Sequence, residues 1–236
     1  IKPCAYRSNS KNTIHLDANF YDFYCSKFSN RSCHLLGMEW FTINSTASVY
    51  YEKARGQYPK IMVISCCDSR VDPVTVFNAS PGDLFVLRTI ASMVPEYNST
   101  KECLGVASAV EFAVLVLNVN SILVVGHSNC GGARALLDGV HNDPGENIFF
   151  PKWISSFESI SNELLQNTEV VEPEVKNNLC EQAIVKLSMK NLCSFPFIQE
   201  RIRDASLNIY GAHFNINNGQ LLILKEPDGK FELITI

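Results

Sequence analysis

No apolar run in this chain approaches the roughly 18–20 residues needed to cross a bilayer, so no membrane span is expected. Basic residues do not outnumber acidic ones: 20 Lys and Arg face 24 Asp and Glu, a formal net charge of −4. That balance leaves no electrostatic footprint for nucleic acid, and none is expected as a partner. A small neutral substrate, or an anion steered by local charge, remains compatible. There is no internal repeat and no low-complexity segment, and no signal peptide is visible. The numbering opens on Ile1 instead of Met, which leads us to expect a processed or trimmed product. With 46% hydrophobic and 19% charged residues among 236, the chain reads as a globular protein with one sizeable core.

Cysteine, by contrast, is abundant: nine residues, at 4, 25, 33, 66, 67, 103, 130, 180 and 193. Disulfide frameworks belong to much shorter chains. Cys66 and Cys130 with His127 read as metal ligands in a reducing compartment. A cytoplasmic location is therefore expected, the alternative being an organelle or periplasm after removal of a targeting segment. Cys4, Cys25 and Cys33 cluster early and could pair where conditions oxidise. The other thiols read as buried or idle. Asn44-Ser-Thr and Asn98-Ser-Thr match the glycosylation sequon, a short and weak pattern.

Along the chain, residues 1–34 are polar but carry many rings, and read as an arm that packs on the body or on a second subunit. Leu35–Phe41 and Val49–Arg55 look helical. Ile61–Ile64 and Ile122–Val125 are short apolar runs of the kind that form strands buried on both faces, and Leu84–Arg88 reads as a further strand. Cys103–Leu117 carries Val106, Val110, Ala113, Val114 and Leu117 at helical spacing and reads as one crossover helix. Ala133–Leu137, Trp153–Leu165, Val175–Leu192 and Ile198–Ala205 read as further helices, with a polar linker running through Pro173. Leu207–Asn215 and Gln220–Leu224 flank Asn217-Asn218-Gly219, a hairpin signal, and Phe231–Ile236 could add an edge strand. The fold class is α/β: a mostly parallel central sheet flanked by helices, an antiparallel C-terminal edge and an N-terminal arm.

Two of those strands end on chemistry. IMVISCCDSR, residues 61–70, delivers Cys66, Asp68 and Arg70; VVGHSNCGG, residues 124–132, delivers His127 and Cys130. In open parallel sheets ligands collect at the carboxyl ends of strands. Two thiolates and an imidazole make a three-ligand zinc site with one position open. Asp68 and Arg70 read either as a surface ion pair or as a dyad in which Arg70 anchors a carboxylate that receives a hydrogen bond from metal-bound water. Asp68 could alternatively swing onto the open position as a fourth ligand. Two thiolates should weaken Lewis acidity, so the water pKa should lie above the ~7 of a three-histidine site. Gly131 and Gly132 either present backbone N–H groups to an anion or serve only the sterics of a turn. Cys67 reads as filling space beside Cys66 without binding metal. His15, His34, His141 and His213 fall outside any ligand spacing and read as structural or solvated.

CCDSRV followed by GHSNCGG resembles the β-class carbonic anhydrases. The resemblance extends through GQYPKIMVISCCDSRVDP, SPGDLFVLRTIASMVPEY, VEFAVLVLNVNSILVVGHSNCGGARALL and LSMKNLCSFPFI, and covers residues 35–236 as one catalytic domain. It implies reversible hydration of CO2 to bicarbonate and a proton by zinc-bound hydroxide, with one Zn2+ per chain on Cys66, His127 and Cys130, and Asp68 with Arg70 as dyad. It further implies that Gln57 hydrogen-bonds substrate, and that Phe85 and Ile90 form apolar pocket walls, often supplied by a neighbouring subunit. A homodimer or a higher multiple of dimers is implied, with the arm gripping the partner. Some positions depart from the family: Thr89 and Ser92 replace asparagines, Phe112 replaces a tyrosine near the site, and Val63 replaces the tryptophan of bicarbonate-regulated bacterial members. An open zinc position at neutral pH is therefore expected. Competing readings keep the site and change its use: hydrolysis of carbon disulfide or carbonyl sulfide, or a structural zinc closed by Asp68 in an interaction protein.

Overall fold

The computed structural model describes residues 50, 53–99, 104–140, 149–167, 172–225 and 229–233. The chain divides into two compact units, Ile1–Glu52 and Lys53–Ile236. The expected arm, the helix at Leu35–Phe41, the loop at 141–146 and the early cysteines lie outside the described residues.

Six strands form one sheet in the order β2-β1-β3-β4-β5-β6: β1 Ile61–Cys66, β2 Leu84–Thr89, β3 Ser121–His127, β4 Asn208–Asn215, β5 Gln220–Lys225 and β6 Lys230–Leu233. The first four run parallel, and β4-β5-β6 are antiparallel. This is the mixed sheet expected, and the apolar runs explain it. Met62, Val63 and Ile64 of β1 and Ile122 and Val124 of β3 are buried at the centre, where covering layers leave no face for water. Both central strands run past the expected ends. Cys66 pairs with Thr89 and His127 with Phe214, so these two residues close their strands instead of following them.

The helices are α1 Pro73–Val76, α2 Leu104–Glu111, α3 Gly131–Leu137, α4 Phe149–Ser155, α5 Glu158–Asn167, α6 Pro173–Leu192 and α7 Pro196–Arg203. Three differ from expectation. Beyond α2 the crossover widens into a π-turn, Phe112–Val116, where the Leu117 N–H reaches the Phe112 carbonyl. Arg201 takes the Val114 and Val119 carbonyls at 2.9 and 3.1 Å, so a side chain replaces part of the ladder. The expected Trp153–Leu165 helix breaks into α4 and α5. The Ser155 and Ser156 hydroxyls donate to the Lys152 and Trp153 carbonyls and compete with the helical bonds there. Pro173 opens α6 instead of ending a linker, because its missing N–H costs nothing in a first turn.

α6 lies across β3 and β4 at close range. A methyl group on Gly126 would sit 2.6 Å from Val185 Cγ2, and one on Gly211 2.6 Å from Met189 Sδ. Val185 is fully buried and has no flexible end to yield. Gly126→Ala is therefore expected to overpack the sheet–helix contact and cost about 1–3 kcal/mol. A melting temperature unchanged within a degree would contradict this.

Candidate metal centre

The carboxyl ends of β1 and β3, adjacent and parallel, bring Cys66, His127 and Cys130 together. One Sγ, one ring nitrogen and the second Sγ all lie within 4.8 Å of one another, and all three residues are buried. Cys130 sits three residues past β3 as the N-cap of α3. Asn129 before it adopts a left-handed φ of 57°, which turns the chain so that the thiol comes back toward Cys66.

The donor set fits a soft-to-borderline divalent cation. His127 Nδ1 lies 3.0 Å from the Ser128 carbonyl and donates its proton there. That leaves Nε2 as a bare lone pair, buried and without a hydrogen-bond partner. Such an atom is costly unless something coordinates it. The thiols point the same way. The neighbouring Cys130 thiol holds Cys66 well below the ordinary thiol range, with help from His127 and against burial. The negative Cys66 and burial together push Cys130 up. Two thiolates cannot share this buried space without a cation between them. Thiolate and imidazole donors of this kind suit Zn2+.

Asp68 lies beside the group but outside it. Arg70 grips its carboxylate twice, Nε to Oδ1 at 2.9 Å and Nη2 to Oδ2 at 2.6 Å, and the Arg70 backbone N–H adds a third bond to Oδ1. The guanidinium keeps the Asp68 carboxyl well below the usual carboxylate range. Arg70 Nη2 also donates to the Asn129 carbonyl at 3.1 Å, tying the β1 loop to the β3 loop.

The other expected site residues fall in two places. Gly132 is packed against Ile90 and Ala91, so close that a methyl group would lie 2.9 Å from Ala91 Cβ; sterics alone require glycine there. Gly131 faces open space. Ile90, half-exposed, thus joins the wall beside α3, and its carbonyl accepts from Trp153 Nε1. Phe85 and Gln57 are elsewhere. Phe85 pairs with Met62, four residues up the sheet from Cys66–Thr89, about 13 Å at strand spacing. Its ring lies against Phe112 in a tilted pair, centroids 5.9 Å apart. Gln57 is exposed and precedes β1, beyond the strand end opposite Cys66.

Cys67 is exposed, so it does not fill space beside Cys66 as expected, and it stays out of the ligand group. Burial pushes the Cys180 thiol up to about 12, in keeping with a small apolar filler. Ser92 makes good its departure from the family by donating to the Val125 carbonyl at 2.6 Å. Sequence reasoning missed Arg88, which holds the Cys66 and Asp68 carbonyls at 2.9 and 2.6 Å. It also missed Ser128, whose N–H and hydroxyl bind Phe214 and Ile216 of the β4 end.

Comparison with known proteins agrees with this geometry. The family model for carbonic anhydrase (Pro_CA) matches residues 61–221. Beta carbonic anhydrase 3 of Arabidopsis thaliana is 38% identical over 173 residues, which is 73% of this chain and 67% of that relative. The solved β-carbonic anhydrase CcaA superposes with a TM-score of 0.76 at 28% identity, covering 84% of this chain and 86% of that one. A structure from a study of two tetrameric β-carbonic anhydrases of the ascomycete Sordaria macrospora gives a TM-score of 0.69 at 26% identity, covering 87% and 97%. With the buried Cys-His-Cys group at the ends of β1 and β3, these matches show that the chain belongs to the β-class carbonic anhydrase family.

Proposed function

We propose that this protein catalyses the reversible hydration of carbon dioxide to bicarbonate and a proton, as a zinc enzyme. The observation that carries this reading is the buried, unpartnered His127 Nε2 facing two thiols, with an anchored Asp68 alongside. Cys66, His127 and Cys130 would hold one Zn2+ per chain, and two thiolates with a neutral imidazole balance its charge. The ion, when bound, supplies a Lewis acid that makes water a nucleophile near neutral pH. Asp68, kept ionised by Arg70, is acceptor-only and orients the proton of the attacking water. Arg70, by holding both carboxylate oxygens, would keep Asp68 from serving as a further ligand to a bound ion. Ile90 and Gly132 wall the α3 side against bulk water.

Turnover should rise with pH through a single ionisation between about pH 6.5 and 9. Asp68 cannot add a second step in that window, because Arg70 lowers its pKa and it is already charged throughout. Stopped-flow CO2 hydration on zinc-loaded protein reads this directly. A flat profile, or turnover of carbon disulfide or carbonyl sulfide without CO2 hydration, would overturn the assignment.

Gln57 and Phe85, placed at the far end of β1 and β2, are read as serving a neighbouring subunit's site. The apolar face at Leu104, Phe112, Leu115 and Val116 supports assembly: Leu115 and Val116 are 54% and 65% exposed in the single chain. A homodimer or a multiple of dimers follows, and a monomer in sedimentation would contradict it. None of the described helices is long and apolar enough to cross a membrane. The cytoplasm is the proposed compartment, because an oxidising one would let Cys66 and Cys130 react before metal arrives; recovery of the chain from an oxidising compartment would refute this.

A further inference from the structure

The metal centre is held from behind by a buried carboxylate that the chemistry above does not use. Glu181 lies on α6, 3% exposed, with Oε1 3.0 Å from the Cys130 backbone nitrogen. Both of its oxygens are committed. Oε1 also accepts from Asn177 Nδ2 at 2.6 Å, and Oε2 faces His213 Nε2 at 3.0 Å. Asn177 and His213 are themselves 5% and 1% exposed. His213 Nδ1 has no hydrogen-bond partner, which assigns the ring proton to Nε2, donating to Glu181.

We propose that Glu181 is the positioning residue for Cys130, fixing the backbone of that thiol ligand so that its Sγ is set before metal arrives; this rests on the zinc reading above. The turn from His127 to Cys130 is gripped at each following residue. β4 holds Ser128, Arg70 holds the Asn129 carbonyl, and Glu181 holds the Cys130 N–H. The Arg70 bond is exposed, whereas Ser128 and Cys130 are buried. Glu181 supplies the buried side-chain grip, and it draws on two separate elements, α6 and β4. No intrahelical carbonyl reaches the N–H of an N-cap residue, so without Glu181 the buried Cys130 N–H would be left without an acceptor. A carboxylate suits the place better than an amide because it accepts all three donors at once and has none of its own to misplace. Removing such a partner of a metal ligand typically weakens metal affinity about 10–100-fold.

The test uses the full chain as wild type, Glu181→Gln and Glu181→Ala. Zinc affinity is measured by chelator competition, and the thiolate-to-metal absorption of the cobalt-substituted protein reports ligand geometry. Glu181→Ala should lose about 10–100-fold in zinc affinity and shift the cobalt band. Glu181→Gln, which can still accept from Cys130, should fall between, at about 3–10-fold, an interpolation within the same range. If Glu181→Ala fails to fold, the Gln variant alone decides: wild-type affinity together with an unshifted cobalt band overturns the proposal. Equal affinities and spectra across the folded variants overturn it as well. A wild type that binds zinc but hydrates no CO2 would refute the functional reading and leave this one standing.

Discussion

Replacing Cys130 by serine is expected to remove zinc and CO2 hydration together. The hydroxyl keeps the shape of the thiol but is not ionised at neutral pH, so it cannot supply the second negative charge that balances the cation. It would also leave Cys66 without the neighbour that lowers its pKa, and the remaining donors would be one thiol and one imidazole. Since disturbing a mere partner of a ligand costs about 10–100-fold, losing the ligand itself should exceed about 100-fold in metal affinity. Cys67→Ser is the matched control, because that thiol is exposed, adjacent in sequence and outside the group. Zinc content and stopped-flow rates check both. Retention of zinc by Cys130→Ser, or its loss from Cys67→Ser, would show that a different set of residues holds the metal.

The second large effect is expected at Arg70. Lysine keeps the charge but gives up the two-pronged grip on Asp68, and a point charge cannot hold both that carboxylate and the Asn129 carbonyl in the same geometry. Arg70→Lys should lower kcat by about 10–100-fold with zinc content unchanged. Arg70→Ala should be worse, because an unanchored Asp68 would be free to turn toward the Cys66–His127–Cys130 group and compete there for a bound ion. On that account Asp68→Asn in the Arg70→Ala background should restore part of the activity, a non-additive result that a purely structural role for Arg70 would not give. The pH sign is also fixed. Arg70 lowers the Asp68 pKa, so the ionised dyad is complete above the ordinary carboxylate value and in the wild type persists as pH falls below it. Without Arg70 the carboxyl returns toward ~3.9, and acid inactivation moves to higher pH. Additive losses and an unmoved acid limb would sink this account.

The clustering of Cys66, His127 and Cys130 was legible because both halves are local: a buried run ending in Cys-x-Asp-x-Arg, and another ending in His-x-x-Cys-Gly-Gly. The four parallel strands and the C-terminal hairpin were legible for the same reason, since apolar runs and an Asn-Gly turn are short-range signals. What escaped was set by distant partners. Arg201 opens the turn at Phe112–Val116, and nothing near residue 114 announces it. His213 reads as isolated in sequence, yet Glu181 on another element is its partner. The resemblance assigns Gln57 and Phe85 to the site, but Phe85 pairs with Met62 at the opposite end of β2 from the thiols, and Gln57 precedes β1. The arm over residues 1–34 falls outside the described residues.

Cys66 and the His127–Cys130 turn sit on neighbouring central strands, but the chain makes the whole β2–α2 excursion between them. A cation bound across that junction therefore closes a long loop of the chain, as a rivet closes a hinge. Its binding free energy belongs wholly to the folded state, since an unfolded chain does not hold the two strand ends together. Free zinc at 100 times the dissociation constant would add about 2.7 kcal/mol to global stability. Metal supply would then govern how long the protein survives in a cell, beyond how fast each molecule turns over.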